Sequence, residues 1–138
     1  MKRLEFRFPI RAIPHQSVKF SRGRTYQPKK ITDYKKALVV MLKEQLPSDF
    51  KIIPAGTPIV IQQLTYQFEY PKLFPKKKRT GNVPKTTKPD LQDNINKAFL
   101  DAFEGVLFEQ DQNIHTINKL SKCMGDENLI ILIIEYGC

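Results

Sequence analysis

"TPIVIQQLTYQFEY", residues 57–70, carries Leu64, Tyr66, Phe68 and Tyr70 in strict alternation. A period of two is the signature of a strand with one face on a core. The next stretch, "PKLFPKKKRTGNVPKTTKP" (71–89), has four prolines, seven Lys/Arg and no acid. Proline removes ladder and helix donors, so this stretch reads as a mobile basic loop. Beyond it, Ile95, Ala98, Phe99, Ala102 and Phe103 recur at spacings of three and four, which predicts a helix over 91–104 with Gly105 as its stop. A strand is expected near 113–123, where Thr116, Asn118 and Leu120 alternate with His115, Ile117, Lys119 and Ser121. "GDEN" (125–128) marks a turn, and "LIILIIEY" (129–136) reads as a central strand.

Upstream, "KRLEFRF" (2–8) puts Leu4, Phe6 and Phe8 on one face and Arg3, Glu5 and Arg7 on the other, a half-buried strand. A loop bounded by Pro9 and Pro14 runs to about residue 30, with Lys19, Arg22, Arg24, Lys29 and Lys30 beside Phe20 and Tyr26. Thr32 is a candidate cap for a helix over 33–46. Its apolar stripe is Tyr34, Ala37, Leu38, Met41, Leu42 and Leu46. The order β-α-β-α-β-β predicts an α+β fold, a mixed sheet with helices packed on it in two layers. At 138 residues the chain reads as a single domain, 1–138, with basic loops at about 9–30 and 71–89.

No apolar run is long enough to span a bilayer, and the alternating N-terminus is not a signal peptide. The two cysteines form no metal motif, and a cytoplasmic location with both thiols reduced is expected. The net charge is +9, unevenly spread. Residues 1–89 hold 20 Lys/Arg and 5 Asp/Glu, a net of +15, while residues 90–138 hold 3 and 9, a net of −6. Either the acids merely offset the positive charge, or a polyanion drawn in by the basic body meets an acidic pocket through a metal ion.

Asp90, Asp93 and Asp111 are the candidate metal ligands. Asp90 after Pro89 also suits an N-cap, and Asp93 suits the helix dipole. Lys97, four residues after Asp93, shares its helix face, either as a surface ion pair or as a cation facing a phosphate. Asp111 reaches Asp93 only if the chain doubles back through "GVLFEQ" (105–110), which Gly105 permits. Clustered carboxylates suit Mg²⁺, a hard cation that takes oxygen ligands. Asp101 continues the 93–97–101 stripe and is read as exposed or as lying behind the ligands. His15 and His115 lack ligand spacing. No phosphate-binding glycine loop supports an ATP-driven activity, and no small-molecule cofactor is expected.

The stretch "KPDLQDNINKAFLDA…GVLFEQDQNI", within residues 88–114, resembles the RusA family of Holliday-junction resolvases, common in phages and prophages. It is similar to the family pattern D-x-D-N-x-x-K-A followed by an aspartate before Q/N-I/V. "SRGRTYQP" (21–28) resembles the family's basic loop. The resemblance implies a homodimeric, Mg²⁺-dependent endonuclease, with Mn²⁺ an alternative metal, that cuts four-way or branched DNA symmetrically. It implies catalytic roles for Asp90, Asp93, Lys97 and Asp111, the three aspartates as ligands. Leu91 and Gln92 both intervene where the pattern has one residue. Arg22, Arg24, Lys76, Lys77, Lys78 and Arg79 are expected to contact the DNA backbone. The rival readings are a DNA-binding protein with a degenerate site, and an RNA-directed module.

Overall fold

The computed structural model describes residues 1–14, 19–21, 24–26, 28–89, 91 and 94–137. Its centre is the strand expected at 57–70, here β4. In chain order the strands are β1 (Lys2–Phe8), β2 (Lys19–Ser21), β3 (Arg24–Tyr26), β4 (Ile59–Glu69), β5 (Val83–Pro84), β6 (Ile114–Ile117), β7 (Leu120–Gly125) and β8 (Leu129–Tyr136). The main sheet runs β1-β8-β4-β7-β5, with β6 also on β4. β4 is antiparallel to β8 and parallel to both β6 and β7. The architecture is α+β: a mixed six-stranded sheet with two helices.

The pairing of β4 with β8 shifts register between Ile61 and Gln63. That irregularity lets Ile59 and Ile61 face the core together with Leu64, Tyr66 and Phe68. It explains why the alternation in sequence is clean only from residue 64. The single strand expected at 113–123 is divided at the same level. The Asn118 amide donates to Ile61 O at 2.8 Å, and Lys119 O accepts from the Leu64 amide at 2.9 Å. β6 and β7 therefore pair with β4 on either side of its irregular point. The turn at 126–128 joins β7 to β8 across the end of β4. It is held by Glu69 N donating to Asn128 Oδ1 (2.9 Å) and Gln67 Nε2 donating to Glu127 O (2.9 Å).

Helix α1 spans Lys29–Gln45, starting at Pro28 rather than at Thr32. The extra turn brings Ile31 into the core with Tyr34, Leu38 and Leu42, all at most 2% exposed. The Thr32 hydroxyl instead donates back to Pro28 O (3.3 Å). Helix α2 spans Asn94–Asp101, so its described part ends three residues before the expected 104. Ala102 N and Phe103 N bond three residues back, to Phe99 O and Leu100 O, which tightens the chain out of the α-helix. Phe103 is then free to pack edge-on to Phe99 (4.9 Å), and both rings lie 5.5 Å from Phe8. One core cluster includes residues from Phe6 to Ile134.

The 71–89 segment is more structured than a mobile loop. Tyr70 stacks on Phe74 at 5.3 Å and its hydroxyl bonds Gly81 O. Residues 76–78 form a 3-10 turn, and β5 lies antiparallel to β7 at the sheet edge, where Pro84 is tolerated. Inside the 9–30 segment, β2 and β3 pair as a short hairpin. No helix among the described residues is long and apolar enough to cross a membrane.

Candidate active site

Helix α2 is amphipathic, and its buried face, Ile95, Ala98 and Phe99, fixes the direction of the opposite one. Lys97 lies on the exposed side. Asp101 follows it by one helical turn, about 6 Å at 1.5 Å per residue. Asn96 sits between the two faces. Its Oδ1 accepts from the Tyr66 hydroxyl (2.9 Å), and its Nδ2 donates to Leu91 O (2.7 Å). Asn96 thus ties Leu91 to the central strand. Burial holds the Tyr66 phenol well above its usual pKa, so it remains a neutral donor.

After α2 the chain doubles back as the acidic spacing required. Leu107 N donates to Phe103 O (2.8 Å), and Gly105, at φ +83°, takes the left-handed turn. The returning strip docks on the 53–56 segment: Ile53 N to Leu107 O (3.0 Å), Glu109 N to Ile53 O (2.9 Å), and Ala55 N to Glu109 Oε2 (2.9 Å). Buried Asn113 completes the dock by donating to Pro54 O (2.8 Å). Asp111 opens a 3-10 turn at 111–113.

The result is a cluster of Asp101, Glu104 and Asp111, with one carboxylate oxygen of each within 4.8 Å of the others. Ligand oxygens around Mg²⁺ lie about 3 to 4 Å apart for metal–oxygen bonds near 2.1 Å. Small side-chain rotations therefore suffice for these three to share one hard cation. Lys35 of α1 pairs with Asp101 at 4.0 Å and ties the two helices together beside the cluster.

Of the expected catalytic residues, Asp111 is brought to the end of α2 and Lys97 lies one turn back. Asp90 and Asp93 lie outside the described residues, as does Arg22. Arg24 belongs to β3. Lys76, Lys77 and Lys78 are exposed in the 3-10 turn. Arg79 instead donates to Pro71 O (3.1 Å), Lys72 O (3.5 Å) and Phe74 O (3.1 Å), with its guanidinium over the Tyr70 ring. It shapes the loop that presents the three lysines. Sequence reading missed Glu104 and Asn96 and placed Asp101 behind the site. Helical spacing does not signal the meeting of Asp101 and Glu104, because the α-helix ends at Asp101. Nothing in the sequence pointed to the bond between Tyr66 and Asn96.

No curated protein sequence matches this chain significantly. Residues 8–135 match the family described as Endodeoxyribonuclease RusA, nearly the whole length. The chain belongs to the RusA endodeoxyribonuclease family.

Proposed function

We propose that this chain is a divalent-metal-dependent endodeoxyribonuclease that resolves four-way DNA junctions by paired phosphodiester hydrolysis. The observation that carries the reading is the return of Asp111 to Asp101 and Glu104, one turn from Lys97, within a chain of this family. Asp90, Asp93 and Asp111 are the proposed ligands of Mg²⁺, or of Mn²⁺ in its place. Asp101 and Glu104 extend the same oxygen-rich surface. A bound ion would activate water and offset charge developing on the phosphate.

The remaining work falls to the chain itself. Lys97 lies on the exposed face of α2 and meets the phosphate. Asn96, held by Tyr66, holds Leu91 just ahead of α2. Lys76, Lys77, Lys78, Arg22 and Arg24 supply backbone contacts, which position DNA without reading its sequence. Arg79 acts through the shape of the loop. The whole chain works as one domain, and two copies form a homodimer, since two opposed cuts on a two-fold junction call for two related sites.

A second reading, a DNA-binding protein with a degenerate metal site, is favoured by the additional residue between Asp90 and Asp93. The two separate when a labelled four-way junction and a duplex of matching sequence are incubated with Mg²⁺. Cleavage of the junction but not the duplex supports the nuclease. Tight junction binding with no cleavage supports the second reading.

A further inference from the structure

Five cations converge on one place that the proposed chemistry leaves unused. A concavity of about 340 Å³ is lined by Arg11, Lys30 and Lys88, with Phe68 and Pro89 in its wall. The Arg11 guanidinium carbon lies 5.1 Å from the Phe68 ring centroid, and Lys85 Nζ lies 5.0 Å from the same centroid. Lys122 reaches in from β7, donating to Thr87 O and Pro89 O at 2.6 Å each. Arg11, Lys30 and Lys88 are exposed, while Lys85 and Lys122 are half-buried. Among the described residues, none of the five takes part in a salt bridge.

Gathering like charges opposes folding, and the strain registers in the chemistry. The Lys85 ammonium is pushed below its usual pKa by burial and by the charges of Arg11 and Lys122. Contacts with one aromatic face recover part of that cost for two of the cations. The arrangement is also placed with purpose. Pro89, whose carbonyl Lys122 holds, is the residue before Asp90, so the concavity borders the start of the acidic segment.

We propose that this concavity seats one backbone phosphate of the bound DNA. The proposal rests on the nuclease reading and names a contact site within it. Lys122 positions the segment by its two carbonyl contacts. Arg11, Lys30 and Lys88 face the phosphate, Lys85 adds its charge from beside the Phe68 ring, and the anion relieves their mutual repulsion. Anchoring one phosphate beside Pro89 would fix the position of the strand on the protein before the chemistry begins.

The test is junction binding by the full chain carrying Arg11→Gln and Lys85→Gln together, measured across a salt series without divalent metal. Affinity should fall by about tenfold or more. The log–log salt slope should lose about 0.9 in magnitude for each such seat, the value for one phosphate contact. Melting temperature in low salt should hold or rise, because two mutually repelling charges are gone. Lys30→Gln with Lys88→Gln, both at exposed positions, provides the same readout should the first pair fail to fold. Wild-type protein that binds the junction with affinity and slope equal to the variants overturns the phosphate seat and leaves the nuclease reading intact. Unchanged DNA affinity with an altered Mg²⁺ requirement would assign the cations to the neighbouring carboxylates, and also overturns it. Wild-type protein that does not bind the junction overturns both.

Discussion

Asp101 and Asp111 stand ten residues apart in sequence, yet they offer carboxylate oxygens within 4.8 Å of one another and of Glu104. The first sits at the end of α2 and the second in the turn that leads to β6. The return strip, docked on the 53–56 segment, brings them together. Replacing Asp111 with Asn keeps the shape and removes a charge. Cleavage should fall by at least about 100-fold, above the 10- to 100-fold that loss of a residue behind the ligands costs. Junction affinity without metal should hold or tighten, since repulsion of phosphate is reduced. Single-turnover cleavage and a metal-free binding titration check both halves. Cleavage within a few-fold of wild type would remove Asp111 from the site.

Tyr66→Phe should act on the rate more than on the fold. It deletes the 2.9 Å bond to Asn96 Oδ1 and leaves that acceptor half-buried. The stability cost should be about 1 kcal/mol, the usual worth of one such bond. The cleavage rate at saturating junction should fall by about 10-fold or more, because Asn96, no longer fixed by Tyr66, holds Leu91 less firmly. Equal losses in melting temperature and rate for Tyr66→Phe and for a core truncation such as Leu38→Ala would mean that Tyr66 is only a packing residue.

Much of the fold was legible because its strands and helices follow simple periods. The alternation at residues 64–70 and the i, i+3, i+4 stripes in both helices correspond to buried faces. What was not legible depends on contacts between distant segments. The division of β6 from β7 answers the irregularity in β4, and neither Asn118 nor Gln63 signals it locally. α1 starts early because Ile31 finds a place in the core, overriding the polar cap at Thr32. At the candidate site, Asp111 was visible in the sequence as part of an acidic pattern. Glu104 joined it only when the tight turns after Asp101 redirected the chain.

Alkaline pH should reveal the two buried phenols. Burial holds the Tyr34 and Tyr66 hydroxyls protonated above their usual range. Tyrosines of the unfolded chain begin to lose protons near pH 10. Their contribution is therefore complete below about pH 10 and is lost as pH rises through the folded values. The Tyr34 hydroxyl is also enclosed without a well-formed hydrogen bond, its nearest partner being the Ile13 backbone. Tyr34→Phe should hold or gain up to about 1 kcal/mol at pH 7 and lose less stability than wild type between pH 9 and 11. Urea midpoints at the three pH values decide it, and an identical alkaline fall in both proteins would contradict the assignment.

The basic loop makes a split prediction. Lys76, Lys77 and Lys78 changed together to Gln should weaken binding to every DNA shape and take about 0.9 per lost contact from the salt slope. Arg79→Gln should lower protection of the loop backbone in hydrogen exchange, since it releases Pro71, Lys72 and Phe74 carbonyls. An unchanged exchange pattern would show that Arg79 does not organise the loop.

Paired cutting is the central claim, and it is tested most directly on a supercoil-extruded cruciform incubated with the wild-type chain and Mg²⁺. Two incisions within the lifetime of one complex convert the plasmid straight to linear product, whereas independent incisions pass through a nicked circle. The account predicts linear product without accumulation of nicked circle, none of either with EDTA, and a particle of about twice the 16.1 kDa chain mass by light scattering. Nicked circle as the end product from a strictly monomeric particle, or an intact plasmid under saturating binding, would contradict it.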